Sequence, residues 1–457
     1  MAMPAVSAKQ HVIKDPVLRR AISKASRRLM PMLVILYVVA FLDRTNVGFA
    51  EQSLQIDKGV GAGAFALGAG IFFIGYALFE IPSNLLLRRF GARVWLARIA
   101  ITWGIVAACF VFVSGSTSFV IFRFLLGVTE AGLFPGIIMF LAAWFPNKVR
   151  VQMFAIFYLA QPVSQMLGAP LSGGLLSLGK LVPGVAGWQM MFAVEGLLAV
   201  AVGIVAYFTL INSPHEADFL TPEEKAALLA SVSGEDEVKH STGPKGVFSA
   251  MANGRVWYFT IIYFCLQIAV YGVTFYLPQQ VASLTGQKVG WQVGLLAAIP
   301  WFFGLFACYF IGRHANTVKR RRNQGALLFI ATGLCIFGSA WAGNANAPFL
   351  GILFITLAVC SFLSVGPITW AYPSAFLAGA AAAAGIGLIN SLGNLGGFVA
   401  PLLRTWVNDL AGNEVAGIFA LGVLPFLAAA MMWGTKFFQV SGDKFLEDDV
   451  ETVAIPH

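Results

Sequence analysis

Four ionisable side chains stand inside runs that are otherwise apolar. Asp43 and Arg44 occupy Phe41-Leu42-Asp43-Arg44-Thr45-Asn46, and Arg123 and Glu130 occupy a second run. The spacing of seven between Arg123 and Glu130 is two helical turns, so both project from one helix face. A charge at membrane depth costs about 2.5–3.5 kcal/mol on insertion scales, so each such residue is a functional candidate. Salt bridges locking two helices are the competing use, but buried ion pairs are a poor way to gain stability. The chemistry these residues suit is anion capture coupled to protons. An arginine holds a carboxylate. An acid moved between an ion pair and an apolar setting changes its proton affinity strongly. None of the five histidines falls deep in an apolar run, and His314 comes nearest. Proton carriage therefore falls to Asp43 or Glu130. Glu80, which precedes Pro82, and Glu195 are expected to make local hydrogen bonds at helix ends.

The second half of the chain has no acid at depth, and Arg313 and Arg404 are expected at helix ends. Its polar residues are neutral: Gln267, Tyr271, Thr274 and Gln279, then Ser364, Thr369, Trp370 and Tyr372, then Asn390 and Asn394. The spacing of Asn390 and Asn394 puts both amides on one helix face. Amides and hydroxyls suit a polyhydroxylated ligand, although such groups also join helices to one another.

The elements that position these groups are membrane helices. Of 457 residues, 58% are hydrophobic and 11% charged, and the mean hydropathy is +0.78. Average soluble proteins are about 25% charged, so too few polar residues exist to cover soluble domains. Forty Phe and 48 Gly suit lipid-facing helices with small residues at their contacts. A spanning helix needs about 20 apolar residues. Twelve runs qualify: 31–50, 64–87, 94–114, 118–143, 151–178, 189–211, 256–281, 289–312, 324–342, 347–377, 380–407 and 414–437. They are numbered here as spans 1 to 12. Barrel strands are excluded, since those are about ten residues long with alternating polarity. The five cysteines are isolated in apolar runs, so neither a metal site nor a disulfide frame is expected. No cofactor is called for, and no signal peptide is read at the N-terminus.

Thirty basic residues against 21 acidic give a formal charge of +9. The basic residues gather in the N-terminal segment and in the loops after spans 2, 4 and 8, for example Arg88, Arg89, Lys148, Arg150, Lys319 and Arg320. The opposite loops hold little more than Lys58, Lys180 and Lys288. By the positive-inside rule both termini are cytoplasmic, and nucleic-acid binding is not expected. The division reads as a cytoplasmic segment 1–30, a bundle 31–211, a cytoplasmic linker 212–255, a bundle 256–438 and a tail 439–457. In the linker, Thr221 caps a helix, Pro222 opens it and Glu224 completes a capping box. An offset of 231 lays Arg88-Arg89 on Lys319-Arg320 and Ala169-Pro170-Leu171 on Ala400-Pro401-Leu402, with Pro135 one residue from Pro367. Two repeated six-helix halves form a substrate site at their interface, near the bilayer midplane. The fold class is thus an all-α membrane protein of two pseudo-symmetric six-helix bundles.

The segment from Phe41 to Ala50 resembles the first-span signature of the anion:cation symporters within the major facilitator superfamily. Arg123-Phe124, Glu130-Ala131-Gly132 and Pro135-Gly136 in span 4 are similar to the same family, as are Ile81-Pro82-Ser83-Asn84 and Glu195-Gly196. Within the family the chain looks most like sugar-acid permeases of the rhamnonate and galactonate type. The resemblance implies alternating access and symport of a small organic anion with protons across the bacterial inner membrane, by a monomer. It implies proton sites at Asp43 and Glu130, a carboxylate contact at Arg44, and pairing of Arg123 with Glu130. It places Tyr76, Gln161, Asn390 and Asn394 among the sugar-side contacts, and Thr369 and Trp370 join the candidate substrate residues. One departure is plain. Asn84 and Arg88 stand where the superfamily loop has Gly and Asp, and Gly312 is followed by Asn316 where Asp is usual. Tartrate or an aromatic acid as substrate, and a ligand sensor on the same fold, remain alternatives. An enzyme is not expected, because no HExxH, GxSxG or phosphate loop occurs.

Overall fold

The computed structural model describes residues 15–179, 181–242, 252–313, 318–376, 379–413 and 415–438. Lys9, Lys14, Lys180, His314, Asn316 and the tail 439–457 lie outside the described residues. Every regular element among those described is helical.

Span 1 is longer than its apolar run. It begins at Pro16, runs to Thr45, and continues as Val47–Lys58. The Asp15 carboxylate accepts from Val17 N–H at 2.8 Å, and Pro16 suits the first turn. Ala21, Ile22, Ala25 and Leu29 are buried at helical spacing beneath the basic residues. Part of the segment 1–30 is therefore an amphipathic extension of the first span. Span 2 is Ala62–Phe90, span 3 Ala92–Ala108, span 6 Gly187–Thr209, and span 8 Trp291–Arg313. Spans 9, 10 and 12 are Val318–Asn344, Pro348–Phe376 and Ala416–Gly434.

Five spans are broken near their middles or ends. Span 4 is Ser116–Glu130 and Leu133–Trp144, and span 5 is Asn147–Tyr158 and Ala160–Gly179. Span 7 is Gly254–Thr274 and Leu277–Thr285, and span 11 is Gly379–Asn394 and Gly396–Ala411. Breaks in a spanning helix are tolerated only inside protein or beside a cavity, because the loosened backbone groups need partners.

The two bundles meet along spans 5 and 8 and along spans 2 and 11. These seams are equivalents under the internal repeat. Both use small residues to bring backbones together, since apolar side chains gain little by leaving lipid. A Cβ on Gly294 would stand 2.4 Å from the Ala169 carbonyl oxygen, so only glycine permits this approach. The linker helix is Pro222–Thr242. Its capping box forms as expected: Thr221 N–H donates to Glu224 at 3.0 Å, and Glu224 N–H donates to the Thr221 hydroxyl at 3.3 Å. Lys24 of span 1 pairs with the same Glu224 carboxylate at 2.9 Å. The five cysteines are unpaired.

Candidate functional site

A cavity of about 20 Å³ lies between the bundles. That volume holds roughly one water molecule, so the bundles are closed around it and an organic acid needs them to part. The first bundle contributes Arg44, Tyr76 and Gln161 to its wall. The second contributes Tyr271, Asn390 and Asn394. Helix breaks flank these positions. Arg44 stands one residue before the end of the first helix of span 1, and Asn394 ends the first helix of span 11.

Arg44 is the cation of this wall. One terminal nitrogen of its guanidinium pairs with Glu130 Oε1, and the other donates to the Tyr271 hydroxyl at 3.1 Å. The guanidinium carbon lies 4.8 Å from the Phe41 ring centroid, 5.0 Å from Phe72 and 5.4 Å from Tyr76. Such aromatic faces favour a cation away from water. Arg44 Nε has no hydrogen-bond partner among the described residues, and neither has Glu130 Oε2. One donor and one acceptor therefore remain unspent beside the cavity.

Arg123 and the two outlying acids bond to other partners than the sequence suggests. Arg123 does not pair with Glu130 by hydrogen bonding and does not line the cavity. It donates to the carbonyls of Gly68 at 3.0 Å and Ala69 at 3.2 Å, so its guanidinium staples span 4 to span 2. The first helix of span 4 packs on span 2, where the small residues Gly68 and Ala69 leave their carbonyls within reach of the guanidinium. Asp43 also stands behind the wall, accepting from Trp103 Nε1 at 2.9 Å. Glu80 and Glu195 do not make local helix-end bonds: both are buried, at 2% and 0% exposure, and bond to other helices. Ser391 of span 11 donates to Glu80 at 2.7 Å, so that bond bridges the bundles. Asn46 and Ser172 each donate to Glu195 at 2.7 Å, which joins spans 1, 5 and 6.

In the second bundle the amides form a chain. Gln267 Nε2 donates to Asn394 Oδ1 at 2.6 Å, and Asn394 Nδ2 donates to Asn390 Oδ1 at 3.1 Å. Thr369 is not at the wall: its hydroxyl donates to the Val365 carbonyl at 2.9 Å within its own helix. Trp370 stands behind the wall, edge-on to Tyr263 with ring centroids 4.9 Å apart, and hydrogen-bonds that phenol. Arg404 lies inside the second helix of span 11 and not at its end, with its guanidinium 3.6 Å over the Tyr276 ring. It does not line the cavity between the bundles. The departures Asn84 and Arg88 lie inside the helix of span 2 and not in the loop after it, and the Asn84 side-chain oxygen is buried without a hydrogen-bond partner among the described residues. The matching Asn316 is outside the described residues.

Sequence reasoning overlooked Tyr37, Phe41, Phe134, Tyr158 and Tyr263, all of which line the cavity. A signal was present. Five of the chain's ten tyrosines meet at this wall, and tyrosine within an apolar run brings a hydroxyl that needs a partner.

A cavity with one guanidinium, set between two repeated six-helix bundles and flanked by broken helices, is the setting in which membrane carriers of this architecture bind their solutes. The chain belongs to the Major Facilitator Superfamily, whose family model matches residues 33–401. It is 40% identical to the inner membrane transport protein RhmT of Escherichia coli, over 90% of this chain and 95% of that one. It is 39% identical to a putative tartrate transporter of Agrobacterium vitis, over 92% of each chain. The fold is also that of the xylose transporter XylE of E. coli in an inward-open conformation. That match has a TM-score of 0.70 at 18% identity and covers 92% of this chain and 98% of that one. These relatives agree with the resemblance to anion:cation symporters, and the chain is a multi-pass membrane transporter rather than an enzyme.

Proposed function

We propose that the chain carries a small organic anion, a sugar acid of the rhamnonate or galactonate type, across the bacterial inner membrane together with protons. The observation that carries this reading is the state of Arg44, held between Glu130 of the first bundle and Tyr271 of the second with Nε unspent. With Glu130 ionised, the pair is neutral and attracts no anion. A proton on Glu130 frees the guanidinium to take a substrate carboxylate through two parallel hydrogen bonds. Proton and anion then arrive together, and the buried charge stays balanced. Asp43 is the second proton site of this reading. Both termini face the cytoplasm, on the distribution of basic loops.

The substrate class follows from the rest of the wall. Phenols and amides offer donors and acceptors to hydroxyls. Arg44 is the single cation lining the cavity among the described residues. A second carboxylate would stand among neutral groups, at the desolvation cost of an unpaired charge. This favours a polyhydroxy monocarboxylate. The likeness to a putative tartrate transporter favours a dicarboxylate, and the two readings separate in one experiment. Purified protein in proteoliposomes is given an imposed inward proton gradient and labelled galactonate or rhamnonate. Accumulation above equilibrium, collapsed by a protonophore and blocked weakly by tartrate, is the expected result. Accumulation that ignores the protonophore would remove proton coupling. Stronger uptake of tartrate than of either sugar acid would replace the substrate.

A further inference from the structure

Span 1 presents Arg44 to the cavity but turns Asp43 and Asn46 toward spans 3, 5 and 6, where two carboxyl groups share one amide. Asn46 stands between the two helices of span 1. Its Nδ2 donates to Glu195 Oε2 at 2.7 Å and lies 3.5 Å from Asp43 Oδ1, the limit of hydrogen-bond reach. The remaining carboxyl oxygens take Trp103 Nε1 at 2.9 Å and Ser172 Oγ at 2.7 Å. Asp43, Asn46, Ser172 and Glu195 are all at most 2% exposed.

The charged and titratable groups on the surrounding helices look elsewhere. Arg44 faces Glu130 and Tyr271. Arg98 of span 3 stacks over Trp95 at 3.9 Å. In the second helix of span 1, Asp57 accepts from Trp188 at 2.9 Å, Lys58 lies 5.9 Å over the same ring, and the field of Glu51 reaches Tyr276. Glu130 reaches Asp43 only as a like charge. Gln165 of span 5 is neutral and accepts from Thr45 at 2.9 Å. Among the described residues no cation hydrogen-bonds either carboxyl of this cage. Two carboxyls in such a place ionise in separate steps, and their titration belongs to the pair.

The cage also touches the seam between the bundles. Two residues beyond Asn46, a Cβ on Gly48 would stand 2.2 Å from the Phe275 carbonyl oxygen, at the break of span 7. Gln279 Nε2 of span 7 donates to the Gly48 carbonyl at 3.3 Å. Residues 46–48 are therefore both the wall of the cage and the surface on which the second bundle closes.

We propose that Asp43 and Glu195, bridged by the Asn46 amide, form a carboxyl dyad that holds one coupling proton, with Glu195 as a positioning residue whose protonation sets how span 1 seats against span 7. The proton is gained at a carboxyl oxygen from one side of the membrane and lost to the other, and no covalent bond to substrate forms. The proposal rests on the proton-coupled reading above.

Glu195→Gln keeps shape and donor capacity but removes titration. In proteoliposomes, counterflow exchange of the sugar acid at equal pH should stay within about threefold of wild type, while the proton-to-substrate ratio from reversal potentials falls by about one. In pH-difference infrared spectra the variant should lose a protonated-carboxyl band that wild type shows. Wild-type ratio, pH profile and spectrum in Glu195→Gln would overturn the dyad. If Glu195→Gln does not fold, Ser172→Ala tests the same point, because the ionised carboxylate loses a donor. Its uptake curve should move toward alkaline pH by a few tenths of a unit, and an unmoved curve counts against the proposal. A wild type whose uptake ignores pH would sink the coupled reading itself, and the dyad with it. A coupled wild type with an indifferent Glu195→Gln sinks the dyad alone.

Discussion

Spans 1 and 7 occupy equivalent places in the repeat and break at nearly equivalent points, yet their contents differ. The 231-residue offset lays Asp43 on Thr274 and Arg44 on Phe275, and it lays Glu130 on Ser361. Thr274 and Ser361 spend their hydroxyls on carbonyls one turn back in their own helices, at 2.6 and 2.8 Å. Asp43, Arg44 and Glu130 instead reach other helices. One bundle thus keeps buried charges bonded across helices, and on the proposed reading their partners change when protons or anions arrive. At the cavity the other offers neutral groups, amides linked in a chain and phenols, and its hydroxyls at these equivalent positions bond within their own helices. On the proposed reading the duplicated architecture provides the alternation of access, and the charge asymmetry gives it something to respond to.

The largest expected effect breaks this asymmetry outright. Arg44→Ala removes the cation of the cavity wall and leaves Glu130 buried without its partner. Binding of a sugar acid, measured by thermal shift or calorimetry, should fall by about a hundredfold or more. Arg44→Lys should restore a minor part, since an ammonium lacks the two-pronged donor face. Unchanged affinity in Arg44→Ala would make Arg44 a structural residue.

Glu130→Gln and Asp43→Asn come next, because they abolish a property without abolishing binding. Each should lose accumulation driven by a pH gradient, and counterflow should survive in at least one of them. If both variants still concentrate substrate against its gradient, the proton carriers are neither Asp43 nor Glu130.

Changes in the second bundle should alter recognition alone. Asn390→Ala or Asn394→Ala interrupts the amide chain from Gln267, at about 1–3 kcal/mol if the partners stay buried and unpaired. Affinity for a polyhydroxy acid should drop roughly ten- to hundredfold, with the pH dependence of residual uptake unchanged. A moved pH profile with intact substrate preference would dissolve the division between the bundles. Thr369→Ala is the internal control, since its hydroxyl serves only its own helix in this conformation.

How far the sequence could carry this comparison is visible in particular residues. Twelve apolar runs were legible because spanning lengths are dictated by the bilayer. Arg44 was legible because a charge in such a run is costly. The onset of span 1 was hidden, because basic residues outnumber the buried stripe of Ala21, Ile22, Ala25 and Leu29. The partner of Glu80 lies 311 residues away and that of Glu195 lies 149 away. No local pattern encodes such a contact, so a bridge between bundles reads as a helix-end acid. Arg123 misled for the opposite reason. Its helical spacing to Glu130 is real, but a shared face does not decide which acceptor wins, and the carbonyls of Gly68 and Ala69 do.

The smallest expected effect concerns the segment joining the bundles. Lys24 holds the Glu224 carboxyl below its ordinary value, with help from the Thr221 N–H. A carboxylate lowered in the folded state stabilises above its unfolded pKa of about 4.3 and loses that contribution as pH falls through the folded value. Lys24 is 45% exposed, so solvent screens the pair, and pairs of this kind contribute about 0.2–1 kcal/mol. Across the pH range in which a proton-driven carrier works, the tie is constant. Glu224→Gln should therefore leave the pH profile of uptake unmoved and its rate within about twofold, while proteolysis of the 222–242 helix at neutral pH quickens a few-fold. A displaced uptake profile in this variant would mean that proton sensing is shared with the linker, and the contrast between a charged and a neutral bundle would no longer account for coupling.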